Sequence, residues 1–262
     1  MFFKGNSADQ RRWLVWALAP AAIWAPAPTV HAETPDDDYL GEAPERYAQV
    51  KVLEGEARIR KGDVDEELSR GVPVGEGDVI ESRGRGILQL GDGSRIAFAG
   101  ETRFRIVTLF ADREGERQVL VALDRGRLRL QVSRDSEARI RVDTPSGSGV
   151  LQEGDNVTFE VDRDGTARVR VHGGRITFSN ASERVRLTAG ERLTVYGSRD
   201  RLDRVRSFNT YDLDAFDGWA ERYVVVRRSR SWDRVPREIR YYADDLDDHG
   251  EWVYDDDVRE WV

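Results

Sequence analysis

The chain has 262 residues, 39% hydrophobic and 34% charged, which is ample for a real core in one or two domains. A formal net charge of −8 and a pI near 5.2 argue against general nucleic-acid binding, which needs a basic surface to displace counterions. The absence of cysteine excludes disulfides, thiolate nucleophiles and Cys-ligated zinc.

Residues 1–32 open with Lys4, Arg11 and Arg12, run apolar over Trp13–Ala25, and carry small residues at Val30 and Ala32. That layout predicts a cleavable secretory signal peptide and a periplasmic or secreted protein. A retained anchor is the alternative, but Pro20 and Pro26 break the apolar run, which is short of the roughly 20 residues a span needs. No stable transmembrane span is therefore expected after cleavage. Residues 33–46, "ETPDDDYLGEAPER", are acidic and aperiodic and read as a flexible leader.

From Tyr47 to Gly197, short runs such as "GILQLGDG", "SRIAFAG", "TRFRIVTLF", "RQVLVALDRG", "RLRLQV" and "TARVRVHGG" alternate apolar and polar residues between Gly, Asp, Asn or Pro. Period-two alternation with such punctuation predicts half-buried strands joined by tight turns. The expected fold class for 47–197 is all-β, a β-solenoid or jelly-roll-like wrap of short strands, followed by a small helical and aromatic tail. A loose unit repeats three times: Gly-x-Φ-x-Φ (Φ apolar) at Gly55, Gly126 and Gly174, alternating with Gly-Asp/Glu-x-Φ at Gly77, Gly154 and Gly190. Glycine clusters such as "VGEGDVIESRGRGILQLGDGSRIAF" raise the possibility of a phosphate loop. Such a loop leads into a helix N-terminus, whereas these glycines each lead into another strand, so they read as sheet punctuation. "LGDGS" reads as an Asp-Gly hairpin turn. The arginines of "RIR", "RLRL" and "RVRV" read as solvent-facing rows paired with Asp and Glu.

Residues 198–262 read as a linker, a helix and a Trp/Tyr/Asp-rich tail. The helix is expected within 213–230, with Phe216, Ala220, Tyr223 and Val224 on one face and Asp212 as its cap. Trp219, Tyr223, Trp232, Tyr241, Tyr242, Trp252, Tyr254 and Trp261 are candidates for a partner- or glycan-binding surface, set against a small core that clasps the tail. "DDLDDHGEWVYDD" places Asp245, Asp247 and Asp256 as weak calcium candidates in a loop, set against a solvated acidic turn.

The texture of residues 50–104, with Gly55, Gly71, Gly77-Asp78, Ser82 and Asp92-Gly93-Ser94, resembles the FecR domain, a β-rich periplasmic domain of bacterial cell-surface signalling. Thr144-Pro145, Gly154-Asp155 and Ala189-Gly190-Glu191 extend the resemblance, with Asp155 replacing the usual threonine. Tyr242, Asp245-Leu246-Asp247 and Gly250-Glu251-Trp252 resemble a Tyr/Trp-rich segment that follows such domains in some secreted bacterial proteins. The matching motifs are turn residues, so they speak to fold more than to function. Only twelve residues precede the apolar stretch, so the family's cytoplasmic anti-sigma segment and its iron-signalling role are not carried over.

Beyond His31, the histidines are His172 and His249, and no serine sits in a G-x-S-x-G frame. No constellation meets the requirements of an active site, so no enzyme activity, catalytic residue, metal or cofactor is expected. The expected function is a non-enzymatic binding or scaffold module at the cell envelope whose partner is an envelope protein, with a cell-wall glycan (peptidoglycan or exopolysaccharide) as the alternative, and no nucleic acid.

Overall fold

The structure, a computed structural model, describes residues 47–113, 116–197, 202–224, 230–231, 234–236, 242–255, 257 and 259–261. The expected signal peptide and leader, together with Trp232, Tyr241 and Asp256, lie outside the described residues.

Alternation becomes strand throughout the β region. β1 (Ala48–Glu54), β2 (Ala57–Lys61), β3 (Val64–Glu67), β4 (Pro73–Val74), β5 (Val79–Ser82) and β6 (Arg85–Gln89) precede two long strands, β7 (Arg95–Arg113) and β8 (Glu116–Gln131). β9 (Arg139–Thr144), β10 (Gly147–Leu151), β11 (Asn156–Val161), β12 (Ala167–Gly173), β13 (Arg175–Ser179), β14 (Arg184–Thr188), β15 (Glu191–Val195) and β16 (Arg206–Ser207) complete a 16-stranded sheet. "SRIAFAG" and "TRFRIVTLF" are thus one strand, as are "RQVLVALDRG" and "RLRLQV". The fold is all-β, with two helices among the described residues, α1 (Ala215–Val224) and α2 (Ala243–His249), and a small pair β17 (Tyr254–Asp255) and β18 (Glu260–Trp261) after the sheet.

β7 and β8 form a ribbon whose register slips between Ala99 and Arg103 and again near Thr108. Bulges of this kind bend a ribbon and let its two ends take different neighbours. One end pairs with β6 and β11, and the other with β5 and, in parallel, with β9. Two arms result: β4-β1-β6-β7-β8-β11-β12-β15-β16 and β3-β2-β5-β7-β8-β9-β10-β13-β14. Val50, Leu88, Phe98 and Phe159 of the first arm share one buried cluster with Ile59, Ile80, Ile140 and Leu187 of the second. At about 1.5–3 kcal/mol for each such side chain, this common core is what holds the arms together.

The sequence repeat has a backbone meaning. Asp78 Oδ2 accepts a hydrogen bond from the Gly75 N–H at 2.8 Å, Asp155 Oδ2 from Gln152 at 2.8 Å, and Glu191 Oε2 from Thr188 at 2.7 Å. Each carboxylate closes a tight turn three residues back and launches the next strand, β5, β11 or β15. The other half of the repeat, Gly55, Gly126 and Gly174, marks corners where the chain crosses between arms, all at positive φ. A Cβ at Gly126 would lie 2.4 Å from Thr102 Cα, and one at Gly174 would lie 2.0 Å from Asp155 Oδ1. The Asp-Gly-Ser turn joins β6 to β7 as expected, and it is also a buried pin. Asp92 accepts bonds from the Ser94 N–H and hydroxyl at 2.9 and 2.8 Å and from the Ser136 hydroxyl at 2.5 Å. Burial raises the Asp92 pKa against the pull of those donors.

Candidate functional site

The helix expected within 213–230 is α1, which is described as far as Val224. Its cap is Asp214 and not Asp212. Asp214 Oδ1 accepts the Asp217 N–H at 2.9 Å, and its carbonyl accepts Gly218 N–H at 2.8 Å. Asp212 instead donates its N–H to the Asn209 carbonyl in the preceding turn. Position relative to the first helical N–H groups decides capping: Asp214 immediately precedes the helix, so its carboxylate reaches the N–H of the third helical residue, Asp217. Phe216, Trp219, Ala220 and Val224 face the sheet and bury Ile87 and Ala97 on the outer side of the first arm.

The polar side of α1 meets a row of side chains directly opposite one another across the first arm: Arg129 on β8, Thr158 on β11, Arg170 on β12, Arg192 on β15 and Arg206 on β16. Strand alternation puts this row outward, and the sequence alone reads Arg129 of "RLRL" and Arg170 of "RVRV" as solvated. Arg129 departs from that reading, because α1 covers it to 1% exposure. It donates to Asn156 Oδ1 at 2.9 Å, to the Asp217 carbonyl at 2.8 Å and to the Glu221 carboxylate. Arg170 Nη2 lies 2.9 Å from Asp217 Oδ2 without hydrogen-bond geometry, and both Arg127 and Arg170 reach Asp214. Burial alone would raise the Asp214 carboxyl, but the Asp217 N–H and the Arg127 guanidinium outweigh it and hold the pKa at about 2.

His172 sits at the end of β12 under this cover. The single Thr158 hydroxyl proton points to Asp217 Oδ1 at 2.8 Å, so at 2.9 Å His172 Nε2 donates to Thr158 Oγ1. Its Nδ1 is buried with no hydrogen-bond partner. Burial, with Arg129 and Arg170 nearby, lowers the His172 pKa to about 3. Thr158 and Asp217 are both fully buried, so this chain of groups fastens α1 to the sheet and offers no reacting atom to a substrate.

Past the helix the same row opens into a groove of about 280 Å³. Among the described residues, Arg168, Arg170, Arg192, Arg204 and Arg206 line it against two carboxylates, Glu160 and Asp203, with Tyr196 beside them. Arg168 holds Glu160 and Asp162, and Arg206 reaches Asp203 at 3.9 Å. Arg192 and Arg204 are exposed and have no acidic partner among the described residues. Directly opposed like charges destabilise a sheet, and here Arg192 stands between Arg170 and Arg206. A second cavity of about 290 Å³ is lined by Glu56, Glu81, Glu101, Arg58, Arg83 and Arg125 and has no such imbalance.

The aromatic candidates fall in different places. Trp219 packs into α1's buried face, its Nε1 donating to Glu54 at 3.1 Å and its ring 5.2 Å from Tyr223. Tyr242 is 44% exposed with Lys51 Nζ 6.0 Å from its ring centre, and half-buried Trp252 donates Nε1 to Ser231 Oγ at 2.6 Å. Tyr254 is exposed, and of Trp261 the backbone is described, paired to Tyr254 in β17·β18. The first part of the acidic segment read as a loop lies in the helix α2. Asp245 pairs with Lys51 at 2.5 Å, while Asp247 accepts the Ser231 hydroxyl and the Arg230 and Ser231 N–H groups. His249 is exposed and bonds the Asp245 carbonyl at 2.8 Å. Of the groove arginines, Arg168 and Arg170 were visible in sequence as the alternating row "RVRV"; the register that sets Arg192 and Arg206 beside them was not.

Residues 78–177 match the family model described as FecR protein. No curated protein matches the chain. Two crystal structures, at 2.50 and 1.65 Å, of a proposed anti-sigma factor from Parabacteroides distasonis are similar, each with 18% identity and a TM-score of 0.43. The matched region covers 50% of this chain and 58% of each of those.

Proposed function

We propose that this protein is an exported, non-enzymatic binding or scaffold module of the bacterial cell envelope that works by contact with another polypeptide. The FecR match supports a signalling or regulatory role. No helix among the described residues is long and apolar enough to cross a membrane. For the fold type, the ribbon shared by both arms favours a jelly-roll-like wrap over a β-solenoid.

The observation that carries the reading is Arg192, an exposed arginine held between two others in a groove of five arginines on an acidic protein. A sheet that tolerates this repulsion is poised for an anion, and a partner's Asp/Glu-rich segment meets it with paired charge and hydrogen bonds. An anionic cell-wall glycan is the second reading, supported by the same charge and by Tyr196 beside it.

The test is crosslinking in the living envelope followed by pull-down of the tagged protein, native against Arg192→Glu/Arg204→Glu. A specific polypeptide recovered only with the native protein supports the proposal. Recovery of glycan without polypeptide moves the function to the second reading. Equal recovery with both proteins removes the groove from either.

A further inference from the structure

The second arm ends in two edge strands of opposite charge. β3 pairs only with β2 and β14 only with β13 among the described residues, so each leaves one line of backbone N–H and C=O groups open. β3, "VDEE", is exposed along its length. Arg58 and Lys61 hold Asp65 and Glu66, while Glu67 has no partner among the described residues. β14, "RVRLT", turns Arg184 and Arg186 outward, again with no described acidic partner, and Leu187 inward.

Charged edges normally keep sheets apart. Here they exclude β3 from β3 and β14 from β14, because like charges would face each other, and they leave the unlike pair matched. Direction agrees as well. Eight pairings separate β3 from β14 in this arm, seven antiparallel and one, β8 with β9, parallel. Followed along the sheet, β14 therefore has the sense opposite to β3, and a second copy placed so that its sheet continues this one meets β3 as an antiparallel ladder. The faces agree too: Asp65 and Glu67 lie on the side of Arg58 and Arg60, and Arg184 and Arg186 on the side opposite the core. One register sets Arg184 against Glu67, Arg186 against Asp65, and Leu187 against Val64, which is 60% exposed.

We propose that this protein assembles with itself head to tail, β14 of one copy adding to β3 of the next. Such a contact is heterologous, so it builds a row or a ring and does not close as a two-fold dimer. The occupant is a second copy because both halves of the complementary pair lie on this one chain. The ladder is four residues long, so the assembly is weak and concentration-dependent.

The experiment is sedimentation of the purified full-length protein over a concentration series, at about 0.01 M and about 1 M salt, where screening lengths are about 30 and 3 Å. Mass should rise with concentration in low salt and collapse to monomer in high salt. Arg184→Glu/Arg186→Glu and Asp65→Arg/Glu67→Arg, each with an unchanged circular dichroism spectrum, should be monomeric alone and should associate when mixed. Monomer at every concentration of the native protein, association undiminished in either variant, or a mixture that stays monomeric overturns the proposal. None of these outcomes bears on the groove, whose arginines are on the other arm.

Discussion

Arg129 on β8 donates to the carbonyl of Asp217 on α1 at 2.8 Å across 88 residues of sequence, and both side chains are 1% exposed. The contact joins the tail to the sheet by charge and backbone hydrogen bonding at once. It also orders the rest of the row, because Asp217 takes the Thr158 proton and approaches Arg170. Burying two charges is costly, so the pair holds a specific position for α1 more than it adds net stability.

Asp217→Ala removes the buried acceptor of the Thr158 hydroxyl and the carboxylate beside Arg170, while Arg129 keeps Glu221 and the main-chain carbonyl of residue 217. The change is expected to cost about 1–3 kcal/mol, the cost of a buried polar group left unsatisfied. Urea unfolding should show a lower midpoint at similar slope, and α1 amides should exchange hydrogen faster than β8 amides. Unchanged exchange in α1 would mean that Phe216, Trp219 and Val224 alone dock the helix.

His172 makes the fold sensitive to acid. Its folded pKa, about 3, lies below the unfolded value near 6.5, so the unfolded chain binds the proton first. Its contribution is complete above pH 6.5 and is lost as pH falls toward 3, at up to about 1.4 kcal/mol per pH unit. Asp214, held at about 2, contributes above its unfolded value near 3.9 and loses that contribution as pH falls toward 2. Stability against pH should flatten between 6.5 and 4 in His172→Leu, and the steep part below 4 should remain.

The corner glycines cannot accept a side chain. Gly126→Ala and Gly174→Ala place a Cβ against Thr102 Cα and Asp155 Oδ1 at positive φ. Each should lose about 2–5 kcal/mol, from backbone strain and overpacking together. Gly62→Ala is the control: φ is also positive, at +59°, but nothing lies within 4 Å of its Cβ. It should lose about 1–2 kcal/mol, the cost of the left-handed backbone alone. Thermal unfolding of the three variants separates the terms.

Arg192 should trade stability for binding. Arg192→Thr removes the opposed charges from the row and suits a strand, so the fold should gain about 0.2–1 kcal/mol. The same change should weaken recovery of the envelope partner. A variant that loses stability would show that Arg192 is held by favourable contacts, and the row would then say nothing about an anion.

Some of this was legible in the residues alone. Alternation such as "TARVRVHGG" determined the strands and which side chains enter the core, because a period of two leaves Ala167, Val169 and Val171 on one face. Asp92-Gly93-Ser94 determined a turn, and the repeated Gly-Asp/Glu determined where strands restart, since both act through bonds spanning two or three residues. Those are local effects, and local effects are written locally. What the tertiary structure alone decided is which rows align: that Arg170, Arg192 and Arg206 stand abreast, that Arg129 lies under α1, and that acidic β3 and basic β14 are the edges of one arm. Each depends on register and pairing between segments tens of residues apart, and a shift of one residue would reverse every face. The all-β class of the chain is thus carried by its alternation, and its candidate sites by the registers that the shared core enforces.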